Sequence, residues 1–258
     1  MLLVTSSARA GLVDTQHQLL QKFVSDDGRV DYAALKADPT LLDRAVSDIA
    51  MLDSAVYASW GEKERLAFWL NAYNTLTLKL IVDHYPIQPA SGRQRYPANS
   101  IQQIPGAWER PVFTVMGTAR SLDDIEHKIV RVEFHEPRVH MALVCAALSC
   151  PPLRREAYTG DALDAQLDDQ GRRFFSDLRN FMIDRKNNAV YVSRILQWFA
   201  DDIIPGVIEQ NERFVGERKA MLAFVPQYVA GEDRRFLETG DYKLEYFDYD
   251  WTLNEQMK

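Results

Sequence analysis

Between residues 14 and 60 the apolar positions Leu19, Leu20, Phe23 and Val24 recur at helical spacing. Ser25-Asp-Asp-Gly28 then breaks the pattern ahead of Val30-Asp-Tyr32, so this stretch reads as helices joined by a turn. Glu62 to His84 is the longest helical candidate, with Tyr85-Pro86 marking its end. It is apolar nearly all the way round, which suits an element in the middle of a domain. Asn71 and Asn74 interrupt it. Three apart, they share a face, and a buried amide without a partner costs about 1–3 kcal/mol. They either tie the helix to neighbouring loops or meet a bound substrate.

Residues 86–110, rich in Pro, Gly, Ser and Gln, read as a long surface loop, and Val112 to Val115 as a short strand. Ser121-Leu-Asp-Asp124 has the form of a capping box opening a helix from Leu122 to about Val130, which carries Glu126 and His127. Arg138 to Cys145 alternates in a way that predicts a strand buried on both faces, with His140 and Cys145 pointing opposite ways. Further helices are expected over Gly160 to Met182, Arg194 to Ile203 and Asn211 to Val229, and a strand over Ala189 to Ser193 after the Lys186-Asn-Asn188 turn. The charged run Gln166 to Arg173 reads as a solvated helix face. Lys243 to Asn254 is β-prone and aromatic, and Trp198, Tyr249 and Trp251 read as core aromatics. No internal repeat is visible. The pattern predicts an α+β domain, mainly helical, with a small antiparallel sheet.

Composition sharpens this picture only at its edges. A chain of 258 residues buries a substantial core without metal or disulfides, and 47% hydrophobic with 26% charged residues matches a soluble globular protein. The net charge of −7 arises from 37 acidic and 30 basic residues mixed along the chain, so a nucleic-acid partner has no electrostatic footprint. The apolar stretches fall short of the roughly 20 residues a membrane span needs. Residues 1–10 end in Ala8-Arg-Ala10, a small-residue cleavage pattern, and read either as a signal-peptide remnant or as an ordinary N-terminus. Residues 11–258 then form a single domain, with a periplasmic or secreted location expected and a cytoplasmic one as the alternative. The oligomeric state is not legible.

Candidate chemistry gathers at Cys145-Ala-Ala-Leu-Ser-Cys150-Pro-Pro. A cysteine thiolate is favoured by a helix N-terminus and a nearby imidazolium, and Pro151-Pro152 suits the first turn of a helix after Cys150. Cys150 is therefore the candidate nucleophile. His140 and His127 are candidate bases, Glu126 is the candidate orienting group, and Ser149 joins Asn71 and Asn74 as candidates for substrate binding. If the strand runs straight to Cys145, His140 lies about 16 Å back, and residues 146–150 must return almost fully extended to reach it. Competing readings are a Cys145–Cys150 disulfide, an inert buried thiol and a metal site, the last lacking the paired ligand pattern of structural zinc. No cofactor is implied.

Six ordered motifs carry a resemblance: Gly28-Arg-Val-Asp-Tyr32, Ala67-Phe-Trp-Leu-Asn-Ala-Tyr-Asn74, Ser121-Leu-Asp-Asp-Ile-Glu-His127, Arg138-Val-His-Met-Ala-Leu-Val-Cys145, Ser149-Cys-Pro-Pro-Leu153 and Tyr249-Asp-Trp-Thr-Leu-Asn254. Together, from about residue 14 to 254, they resemble the domain of unknown function 547 family. The resemblance implies a relation to the papain-like cysteine peptidase and transglutaminase-like fold, and binding of a peptide or a small thiol such as glutathione. It also implies Cys150 as nucleophile, His140 as base and Glu126 as orienting group, with His127 in reserve. The function expected is that of a cysteine-dependent acyl-transfer enzyme, peptidase- or amidase-like, with a non-catalytic peptide- or thiol-binding module as the alternative.

Overall fold

The most apolar stretch of the sequence becomes the axis of the fold. In the computed structural model, which describes residues 2–203 and 224–257 with side chains from residue 10 onward, helices α1 (Leu2–Phe23), α2 (Tyr32–Ala37), α3 (Thr40–Met51) and α4 (Ser54–Ala58) precede α5 (Glu62–His84). Sixteen residues of α5 are buried, Leu66 to Leu78 without a break. Glu64 caps the helix by accepting a hydrogen bond from the Gly61 amide at 3.1 Å. Around this axis α1, α2 and α3 close the main apolar core.

Strands β1 (Phe113–Val115) and β2 (Thr118–Arg120) form an antiparallel hairpin. Its two-residue turn, Met116-Gly117, has positive φ at both positions, as a hairpin of this length requires. The expected capping box is present: the Asp124 amide donates to Ser121 Oγ at 3.0 Å and the Ser121 amide donates to Asp124 Oδ2 at 2.9 Å. The helix it opens is a π-helical turn, Asp124–Val130, running on into α6 (Arg131–Glu133). Such turns are rare and cluster at functional sites.

A second, smaller core lies under α7 (Leu163–Ser176), β3 (Phe181–Asp184), β4 (Ala189–Val192), α8 (Ile195–Trp198), α9 (Gly231–Thr239) and β5 (Lys243–Tyr246). Here β3 pairs antiparallel with β4, and β4 parallel with β5, so the sheet is mixed rather than antiparallel. The class, α+β and about half helical, is as the sequence predicts.

Three expectations fail locally. Arg138 to Cys145 is not a strand. Pro137 opens a 3₁₀ turn, Pro137–Met141, and Glu136 accepts a hydrogen bond from the Arg138 amide at 3.0 Å. Beyond it Asn74 supplies the partners a strand would have found, donating to Ala142 O at 3.0 Å and accepting from the Val144 amide at 2.9 Å. A short apolar run looks the same whether its backbone is satisfied by a sheet or by a side chain. The helix expected to Met182 stops at Ser176, where an Asp177–Arg179 turn leads into β3. Nor is Gln166 to Arg173 a solvated face: Gln166, Leu167, Gln170 and Gly171 are buried. The helix expected from Asn211 to Val229 lies outside the described residues up to 223, and Val225–Gln227 forms a 3₁₀ turn.

Candidate active site

The loop from Cys145 to Pro152 is held from three sides. The chain end runs antiparallel beside it, with hydrogen bonds from the Leu148 amide to Thr252 O (2.8 Å), the Asn254 amide to Ala146 O (3.1 Å) and the Asp250 amide to Ser149 Oγ (2.9 Å). Gln170, fully buried on α7, donates to both Met141 O and Pro152 O at 2.9 Å. Gly28, at φ +81°, lets the backbone of the first turn approach Pro152 so closely that a Cβ there would stand 2.6 Å from the proline's own. Tyr32 donates to Asn254 Oδ1 at 2.8 Å in the core, locking the loop's two supports together. Residues of the motifs at 28–32 and 249–254 thus set the shape of the cysteine loop from two sides. Within that loop Ala146 adopts φ +59°, a strained value for a residue with a Cβ.

Cys145 and Cys150 form a disulfide, with Cα atoms 6.0 Å apart. The sequence favoured Cys150 as a free nucleophile and kept this disulfide as a competing reading; the tight loop, in place of the expected strand, brings the two sulfurs together. Their environments differ. Cys150 is buried, and its sulfur receives the amides of Cys145 (3.1 Å) and Ala147 (3.4 Å). Cys145 is half-buried and lines the cavity described below. The Tyr249 hydroxyl stands 3.2 Å from each sulfur, and burial, with the Glu126 charge, pushes its pKa up, so it is present as a phenol.

His140, buried on the 3₁₀ turn, is stacked on Phe199 at 3.9 Å between centroids, and its Nε2 lies 2.7 Å from Asp202 Oδ2. Arg131 grips the same carboxylate with two bonds, Nε to Oδ2 at 2.5 Å and Nη2 to Oδ1 at 2.9 Å. Burial works against ionisation of Asp202, but the hydrogen bonds and charges of His140 and Arg131 outweigh it and hold the carboxyl well below its ordinary range. An ionised carboxylate only accepts, so Nε2 carries the proton. In the neutral ring the lone pair then sits on Nδ1.

These groups meet in a cavity of about 260 Å³. Cys145, His140, Glu126 and His127 all line it, beside Tyr73, Tyr249 and Pro151. Trp108, Trp198, Phe199 and Trp251 form its aromatic walls. The chain thus brings together three of the four catalytic candidates, with Cys145 in place of Cys150, which instead lines a separate cleft of about 20 Å³. Asp202 rather than Glu126 orients His140. Glu126 is buried beside the Tyr73 phenol, which burial and the neighbouring carboxylate together push to a high pKa. His127 has Nδ1 occupied by Arg131 at 2.9 Å and Nε2 3.7 Å from Asp123, which leaves it poorly placed as a reserve base.

The three substrate-binding candidates are structural ties. Asn71 donates to Tyr158 O and accepts from the Tyr158 amide, each at 2.8 Å. Asn74 holds Ala142 and Val144, and Ser149 binds the chain end. None of them lines the cavity. Conversely, Trp198, Tyr249 and Trp251, read from the sequence as core aromatics, are cavity walls. Sequence reasoning missed Asp202 altogether. Its only local signal is a pair of aspartates following Trp198-Phe199-Ala200.

The family model for the protein of unknown function DUF547 matches residues 57–175. Over that stretch the chain is similar to the DUF547 family. No curated protein and no solved structure matches. The DUF547 stretch contains α5, the π-helical turn, His140 and both cysteines. Tyr249 and the indoles of Trp198 and Trp251 reach the cavity from outside it, and Asp202, which holds His140, also lies outside it in the sequence. The papain-like core expected from the resemblance is not identified by these comparisons.

Proposed function

We propose that the protein is a cysteine-dependent acyl-transfer enzyme, peptidase- or amidase-like, in which Cys145 of the reduced chain is the nucleophile and His140 the base. The observation that carries this reading is that Cys145 and His140 line one cavity while Asp202 occupies one nitrogen of the imidazole, Nε2, leaving Nδ1 to act as base. A nucleophile, a base and a group orienting that base are the minimum such chemistry needs.

The disulfide is the closed form of this site. A dithiol reductant opens it by exchange, ending as a disulfide itself and leaving thiols at Cys145 and Cys150. His140 Nδ1 then takes the Cys145 proton, and the thiolate adds to the substrate carbonyl carbon. The bond to the leaving group breaks, and His140 returns the proton to that group. Water releases the acyl group from the thioester in a second round. Closure by a disulfide fits an oxidising compartment and the export expected from Ala8-Arg-Ala10.

Incubation of the reduced protein with p-nitrophenyl acetate, followed by peptide mass spectrometry, tests the proposal. An acetyl thioester on Cys145 is expected, absent from the oxidised protein and formed at least about 100-fold more slowly in His140→Asn. No adduct on the reduced protein, or one indifferent to His140, overturns it. The closed disulfide favours a second reading, a module that binds a peptide or small thiol without turnover. It requires that Cys145→Ser keep full ligand affinity and that the native protein turn nothing over.

A further inference from the structure

The cavity wall carries a charge pattern that the acyl-transfer reading leaves unexplained. Three carboxylates face it, Glu109, Asp123 and Glu126, and no lysine or arginine does among the described residues. Glu126 is only 8% exposed, and burying a carboxylate without a cation is costly. Yet the cations that follow it along the same helix are bound elsewhere, Lys128 to Asp124 and Arg131 to Asp202. At the mouth, burial and the charges of Glu109 and Asp124 push the Asp123 pKa up, against the pull of His127.

The aromatic residues point the same way. Trp251 lies 4.6 Å from Tyr249, 6.0 Å from Trp108 and 6.1 Å from Trp198, ring centre to ring centre, so four rings form one continuous surface. Trp198 is 46% exposed, an unusual position for an indole that serves only packing. Aromatic faces backed by carboxylates are how proteins hold alkylammonium groups, through attraction of the cation to the ring quadrupole. The volume is slightly below the roughly 300–1,000 Å³ of pockets for drug-sized ligands, so it suits a headgroup or one side chain rather than a whole peptide.

Building on the acyl-transfer reading, we infer that the substrate presents an alkylammonium group, such as a lysine-type side chain or a small quaternary amine, to the cage formed by Trp108, Trp198, Tyr249 and Trp251 with Glu109, Asp123 and Glu126. Glutathione, with a net negative charge, is disfavoured by the same wall.

Calorimetric titration of the oxidised protein with choline and with 3,3-dimethyl-1-butanol, its uncharged isostere, tests this. With the disulfide closed, acyl transfer plays no part, so a missing acetyl thioester in the earlier experiment and missing cation binding here are separate failures. Choline is expected to bind about tenfold more tightly than the alcohol. In the variant Glu109→Gln/Asp123→Asn, which changes side chains at the exposed mouth, that preference is expected to collapse while the alcohol binds as before. N-acetyl-trimethyllysine amide is the second cationic probe: tighter binding than choline identifies a peptide side chain as the source, and weaker binding a free small amine. Equal affinity for choline and the alcohol, no binding of either cation, or a preference that survives the double substitution overturns the inference.

Discussion

One ring nitrogen of His140 is committed to Asp202, and Arg131 fixes that carboxylate with two further bonds. Asp202→Asn removes the charge that keeps the proton on Nε2 and is expected to slow acetylation of Cys145 at least about 100-fold while leaving the cavity intact. The same carboxyl makes stability depend on pH with a definite sign. Its folded pKa lies below the ordinary 3.8, so its contribution is fully present above that value and is lost as pH falls through the folded value. The gap in urea stability between the native protein and Asp202→Asn should therefore be widest above about pH 5 and shrink in acid. At this scale the sequence named His140, Glu126 and His127 as candidates, and all three line one cavity. The assignment between the two cysteines was not legible, because it rested on strand parity and the strand does not exist. Asp202, 62 residues from His140, had no signal a local reading can detect.

At the scale of elements, periodicity and capping identified α5, the helix after Ser121, and β4. The failures came where one side chain does the work of an element. Asn74 stands in for a strand partner at Ala142 and Val144, so Asn74→Leu is expected to cost about 2–4 kcal/mol in urea unfolding and to loosen the segment leading to Cys145. Gly171 offers a test of opposite sign from helix propensity. Alanine normally stabilises a helix interior, but a Cβ at Gly171 would stand 2.3 Å from the Tyr228 ring, so Gly171→Ala should destabilise the protein. The burial of Gln170 could not be read from its charged neighbours, since the face of α7 that turns inward was set by Met141 and Pro152, both distant in the chain.

In the whole molecule the cavity lies along the seam between the larger and the smaller apolar core, and Tyr249 packs against both. The family-matched stretch supplies the cysteines, His140 and Glu126, while the later part of the chain supplies Asp202 and most of the indole surface. The mixed sheet and the return of the chain end to the cysteine loop depend on contacts between distant segments, which periodicity does not encode. Because that return holds the loop through backbone bonds, opening the disulfide should leave the fold intact. For so short a ring, reduction is expected to cost about 2 kcal/mol and to lower Tm by about 5 °C, as calorimetry of the two forms would show. The central claim is that Cys145 is the nucleophile of the opened site. Carbamidomethylation of the reduced protein across pH, read by peptide mass spectrometry, tests it most directly: Cys145 should react with a midpoint below the ordinary thiol value of about 8.5 while buried Cys150 stays protected, and preferential labelling of Cys150, or no labelling of Cys145 below that pH, would contradict it.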